Sequence, residues 1–191
     1  MRKQTGFTLI EIVIVIIILG LLAATALPRF LDVTDDAEKA SLDGIAGGFA
    51  SAVGLVRAQW EVEGRPGQGT VKATVNYDGI SVGVDGGDAS RSGGYPTNNG
   101  ASGNTTIANV NDAACLWVLD NILQSAPAAT ATPAQFQNGN FQIYARANAN
   151  QCYYHQVISL RGLSSAPTGA STPGNGFIYN PASGKVNVFK N

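Results

Sequence analysis

The chain has few charges, one histidine and two cysteines, and each scarcity closes off a class of function. Charged residues make up 13% of the 191 residues, about half the roughly 25% of an ordinary soluble domain. Twelve Lys and Arg against thirteen Asp and Glu leave a net charge of −1, so there is no basic footprint and no nucleic-acid partner is expected. A single His and two Cys are too few for a His/Cys zinc site, and there is no Cys-x-x-Cys pair. Gly-x-Ser-x-Gly and Walker loops are missing as well. Gly64-Arg65-Pro66-Gly67-Gln68-Gly69 lacks the Lys-Ser/Thr end that a phosphate loop needs. His155 stands alone in a strand-like run and reads as a satisfied structural or surface histidine. No pair of positioned titratable groups emerges, so the expectation is a protein without catalytic residues.

What is present in excess is apolar sequence at one end. From Phe7 to Leu27 the only charge is Glu11. As a helix this run is about 31 Å long at about 1.5 Å per residue, enough for a bilayer core. Arg2 and Lys3 before it place the start of the chain in the cytoplasm and the remainder outside. Three readings fit: a signal peptide cut near Ala24-Thr25-Ala26, with a secreted binding domain released from Leu27 or nearby; a plain anchor; or a segment that uses its carboxylate. Only the third accounts for Glu11, whose transfer into hydrocarbon costs about 2.5 to 3.5 kcal/mol.

Lys3-Gln4-Thr5-Gly6-Phe7-Thr8-Leu9-Ile10-Glu11-Ile12-Val13, followed by an apolar helix and Pro28, resembles the prepilin signature of type IV pilins and type II secretion pseudopilins. The resemblance implies that a prepilin peptidase cuts after Gly6 and that the new amine of Phe7 is methylated. It also implies that Glu11 pairs with that amine on a neighbouring subunit, so that Phe7 to Leu27 leaves the bilayer to form the core of a helical homopolymer. The globular part would be periplasmic while the subunit waits in the inner membrane, then extracellular on the pilus. Partners implied are the peptidase, an inner-membrane assembly platform, minor pilins and a host or surface ligand that the residues do not identify. The Pro28-Arg29-Phe30-Leu31 junction and the Gly-rich stretch after it look most like the mannose-sensitive haemagglutinin pilins, which serve attachment and biofilm formation. The major pseudopilin of a type II secretion system is the alternative.

Five segments follow: a leader over 1–6, an apolar transmembrane or filament-core helix over 7–28, an amphipathic half over 29–63, a Gly-rich connecting loop over 64–111, and a short helix with an antiparallel sheet over 112–191. Gly20 and Pro28 are soft points in the first helix. Asp35 and Glu38 suggest a capping box where the helix restarts, helped by the i,i+4 pairs Asp35/Lys39 and Lys39/Asp43. Leu42, Ile45, Phe49, Val53, Val56 and Trp60 draw one apolar stripe, while Gly44, Gly47, Gly48 and Gly54 would permit close backbone approach. Gly64 and Pro66 end the helix.

The loop contains the β-favouring pieces Val71 to Tyr77 and Ile80 to Val84, a Gly94-Tyr95-Pro96-Thr97 string, and Asp85 and Asp88, which read as a plain turn, with calcium the alternative although the EF-hand spacing is missing; no cofactor is expected. Beyond it, Asp112 is the expected N-cap of a helix over 113–124 with Leu116, Leu119, Ile122 and Leu123 inward. Strands are expected over 141–145, 152–160, 177–179 and 185–189, the last two joined by a turn over 180–184. Cys115 and Cys152, both outside the cytoplasm, are expected to form a disulfide with a structural role. The fold class expected is α+β: one long N-terminal helix packed on a small antiparallel sheet.

Overall fold

In the computed structural model, residues 6–168 and 174–190 are described, with the side chains of 31 and 32 excepted; the leader residues 1–5 lie outside them. Helix α1 runs over Leu9–Val62. The chain divides into two compact units, Met1–Ala40 and Ser41–Asn191.

Over residues 12–28 α1 is apolar on every side, and each residue from Gly6 to Phe30 is exposed. Pro28 stands inside the helix. It has no N–H to donate to the carbonyl of Ala24, yet the helix continues past it. The expected restart at Asp35 does not occur, because a proline removes one rung of the hydrogen-bond ladder and the long run of helix-forming side chains on either side retains the rest. Thr25 and Thr34 donate their hydroxyls to carbonyls three and four residues back, which satisfies these polar groups within the helix.

The second unit takes α1 from Ser41 onward and packs it on a sheet. Leu42, Ala46, Phe49, Val53, Val56 and Trp60 are buried, following the 3.6-residue period; Ile45 is only half-buried, and Ala46 takes its place in the core. Phe49 is the centre of the contact, its ring 5.2 to 5.5 Å from those of Tyr154, Phe177 and Tyr179, within the range where aromatic pairs attract. The close approach expected at the helix glycines is not made in the subunit: beside Gly44, Gly47 and Gly54 there is open space, and only Gly48 has a neighbour, Leu123 at 3.8 Å.

Residues 64–111 are more ordered than expected of a loop. They form an antiparallel three-stranded sheet, β1 (Ala73–Tyr77), β2 (Ile80–Val84) and β3 (Pro96–Asn99). The composition of β3, Pro-Thr-Asn-Asn, hides it. Its stability comes from buried polar side chains, with the Thr97 hydroxyl donating to the Thr105 carbonyl at 2.6 Å and the Asn98 amide to the Asn104 carbonyl at 2.9 Å.

Helix α2 (Asp112–Ile122) is capped by Asn111, whose side chain accepts from the Ala114 N–H at 2.9 Å. Asp112 is not the cap. It lies inside the first turn and accepts from the Ala147 N–H at 2.7 Å, tying α2 to the sheet. The buried face is Ala114, Cys115, Val118, Leu119 and Ile122, with the helix ending at Ile122.

The remaining strands form a five-stranded sheet in chain order: β4 (Ala129–Thr130), β5 (Ile143–Asn148), β6 (Gln151–Gln156), β7 (Gly176–Asn180) and β8 (Lys185–Phe189). All neighbours are antiparallel except β4 and β5, which are parallel. The strand expected through Leu160 stops at Gln156, and Val157–Leu160 turns as a 3-10 helix. That turn brings Val157 and Leu160 onto Tyr144, forming a small second core. The architecture is the expected α+β arrangement of one long helix against a small, mainly antiparallel sheet.

Candidate assembly segment

The residues singled out at the N-terminus sit at the beginning of α1. Gly6, Phe7 and Thr8 precede the helix and Leu9 begins it. Thr8 is therefore the N-cap and Glu11 the third helical residue, the Thr-x-x-Glu spacing of a capping box. The contacts agree: the Thr8 hydroxyl and N–H face Glu11 Oε2 at 3.4 Å, and the Glu11 N–H faces the Thr8 hydroxyl at 3.3 Å. These are long bonds, so the box contributes less than a well-formed one. Sequence reasoning missed this local role for Glu11, although Thr8 and Glu11 at that spacing display it. Only Oε2 is engaged; among the described residues Oε1 accepts nothing.

Around this cap the surface is apolar. Phe7 and Leu9 are each 82% exposed, and Ile10, Ile14, Ile17 and Leu21 follow at helical spacing. A helix hydrophobic all round is stable only when something covers it. It is long and apolar enough to cross a membrane. Gly20 and Pro28 lie along the same exposed run.

The second unit carries the disulfide. Cys115 in α2 and Cys152 in β6 are bonded, with Cα atoms 5.4 Å apart and a sequence separation of 37. The bridge is backed by a hydrogen bond from the Tyr154 hydroxyl to the Cys115 carbonyl at 2.8 Å. Because β7 and β8 come after Cys152, the bond joins α2 to the middle of the sheet and leaves the C-terminal hairpin to be held by strand pairing.

Asp85 and Asp88 converge on one guanidinium. Arg91 donates to Asp85 at 2.5 Å and to Asp88 at 3.1 Å, and Asp85 also accepts from the N–H groups of Gly87 and Ile107. The buried carboxylate thereby pins three points of the loop. Among the described residues no group of three His, Cys, Asp or Glu side chains converges as a metal site would. His155 is wholly buried in β6, and among the described residues neither ring nitrogen has a hydrogen-bond partner. The satisfied histidine expected from the sequence is thus an unsatisfied one, enclosed by the rings of Tyr144, Tyr153 and Phe189.

Comparison with known proteins bears on the first unit. Residues 1–27 match the prokaryotic N-terminal methylation motif. The N-terminal segment is thus similar to those of type IV pilins and type II secretion pseudopilins. The type IV narrow pilus major component of Thermus thermophilus is 47% identical over 57 residues, 30% of this chain and 49% of that protein. Type II secretion system core protein G of Vibrio cholerae is 48% identical over 48 residues, 24% of this chain and 33% of that one. A type IV major pilin of Neisseria gonorrhoeae is 52% identical over 50 residues, 26% and 30% of the two chains. The chain thus spans half or less of the length of these curated relatives. No solved structure matches significantly.

Proposed function

We propose that the chain is a non-catalytic structural subunit that polymerises through α1 into a type IV pilus of the mannose-sensitive haemagglutinin kind, serving attachment and biofilm formation. The observation that carries this is a capped helix, apolar and exposed on every side, with a single carboxylate at its head and Gly6-Phe7 immediately before it. In this reading the prepilin peptidase cuts after Gly6, and the N-methylated amine of Phe7 becomes a cation in an apolar setting. Glu11 Oε1, left free by the cap, is the acceptor that a neighbouring subunit's Phe7 amine requires. Two opposite charges brought together in such a setting are far less costly than either alone. Before assembly the helix is held in the inner membrane with the second unit in the periplasm; afterwards the subunit is extracellular. Gly20 and Pro28 are the places where α1 adjusts on leaving the bilayer. The inner-membrane assembly platform and minor pilins act as partners in that step.

Glu11→Gln tests the pairing more cleanly than an apolar substitution. Glutamine also closes a capping box, so the helix start survives while the charge is lost. The expected outcome is a subunit still cleaved after Gly6, as mass spectrometry of its N-terminus reads, with sheared surface filament reduced at least tenfold when no wild-type copy is present. Wild-type filament yield would overturn the pairing. The similarity to core protein G supports a second reading, a type II secretion pseudopilin. Deleting the gene separates the two: loss of surface filaments with normal export favours the pilus, and accumulation of exoproteins in the periplasm favours the pseudopilin.

A further inference from the structure

Away from α1's apolar run, the second unit has a cleft of about 290 Å³ where the end of α1 faces the loop between β2 and β3. This lies at the small end of ligand-pocket volumes, about 300 to 1,000 Å³. Three guanidiniums line it, those of Arg57, Arg65 and Arg91, together with Gln68, Asp88 and Ser90.

Their charges are unevenly shared. Glu61 serves two cations: Arg57 donates to its Oε1 at 2.6 Å, and Arg65 Nε to its Oε2 at 2.5 Å. That wall retains one positive charge. On the other wall Arg91 alone serves two carboxylates, Asp85 and Asp88, leaving one negative charge. Arginine has five N–H donors. Among the described residues Arg65 commits only its Nε, and Arg57 commits Nε and Nη2, so both retain a free edge. Arg57 also lies over two aromatic rings, its Cζ 4.9 Å from the centroid of Tyr95 and 5.4 Å from that of Trp60, which restricts its direction. Glu61 and Asp88 are held ionised: hydrogen bonds from Arg57 and Arg65 lower the Glu61 pKa, and those from Ser90 and Arg91 hold Asp88 at about 2.

We propose that this cleft binds an acidic saccharide, its carboxylate on Arg57 and Arg65 and its hydroxyls on Asp88, Ser90 and Gln68. A planar carboxylate matches a guanidinium edge bidentately. One unbalanced positive charge suits a monoanion, and the negative wall opposite disfavours a phosphate dianion. Asp88 already accepts from Ser90 and Arg91, and a ligand hydroxyl would fill the acceptor capacity that its carboxylate retains, which a carboxylate ligand without hydroxyls could not do. The cleft lies wholly within the second unit and does not need the filament reading to hold, so its test is independent of assembly.

The test is saturation-transfer NMR on the full chain in detergent micelles, with D-glucuronate, D-glucose and inorganic phosphate as the probes. Glucuronate is expected to bind at millimolar concentration, with glucose and phosphate at least tenfold weaker. Arg65→Gln removes an exposed side chain and should raise the glucuronate Kd at least tenfold while far-UV circular dichroism and melting stay unchanged. Glucuronate binding that is absent at millimolar concentration, matched by phosphate, or unaffected by Arg65→Gln would overturn the proposal. A circular dichroism change in Arg65→Gln moves the test to Arg65→Lys, which keeps the charge but not the bidentate edge and is expected to weaken binding; unchanged affinity there overturns it equally.

Discussion

His155 sits in β6 with both ring nitrogens unpaired among the described residues, and burial lowers its pKa to about 4 from the ordinary 6.5. The neutral imidazole is therefore the folded form. Between pH 6.5 and 4 the unfolded chain binds a proton that the folded chain refuses, so stability declines as pH falls through that window and is level above it. The loss by pH 4.5 is on the order of 2 kcal/mol. Replacing His155 with Leu removes the titrating group and two unsatisfied polar atoms from an apolar surround. The expected result in urea unfolding is stability at pH 7 equal to or above wild type and a much flatter decline towards pH 4.5. An unchanged acid limb would assign it to the carboxylates. Gly94 is a second position where one residue matters. Its φ is +89°, and an added Cβ would meet the Trp60 ring at 2.3 Å, so both the backbone and the space exclude a side chain. Gly94→Ala should cost roughly 2 to 4 kcal/mol, read as a lower melting temperature with α1 helicity retained.

Among the elements, those whose apolar period was long were legible in the sequence. The stripe Leu42, Phe49, Val53, Val56, Trp60 is the buried face of α1, and the alternation in Lys185 to Phe189 is a strand. Phe49→Ala should cost about 3 to 5 kcal/mol, as for other buried aromatics, measured by urea unfolding. Elements whose order rests on side-chain hydrogen bonds were not legible. β3 reads as loop because Pro96, Thr97, Asn98 and Asn99 have little strand propensity, and their partners lie at Thr105 and Asn104 across a turn. Asn111 took the cap from Asp112 since either residue type serves, and the Ala147 N–H that claims Asp112 is remote in sequence. Pro28 and Asp35 suggested an interruption within the one long helix, and α1 runs through without it. At the candidate site, Gly6, Phe7 and Glu11 were legible as a constellation, whereas the Thr8 box was overlooked because the desolvation cost of Glu11 drew the whole explanation to a neighbour.

At the scale of the molecule, the two units depend on different stabilising forces. The first has no buried side chain from Gly6 to Phe30 and owes its environment to whatever surrounds it. The second has its own core of α1, α2 and two sheets, closed by the one covalent cross-link, Cys115–Cys152. In the chain-entropy account, a bridge across a sequence separation of 37 contributes roughly 4 kcal/mol by restricting the unfolded chain. That is a large part of the 5 to 15 kcal/mol of a typical domain. Replacing both cysteines with Ala should therefore lower the stability of the second unit by about that amount, read as a reduced urea midpoint for the Trp60 and Trp117 fluorescence. Insertion of the first unit into the membrane should be unaffected, because both cysteines belong to the second unit. The double substitution also separates the bridge from the packing around it: Tyr154 still donates to the carbonyl of residue 115, and α2 still buries Val118 and Leu119. A loss well under 1 kcal/mol would mean that this packing already restricts the chain and that the disulfide adds little, whereas failure to accumulate in the membrane fraction would mean that the second unit governs the fate of the first.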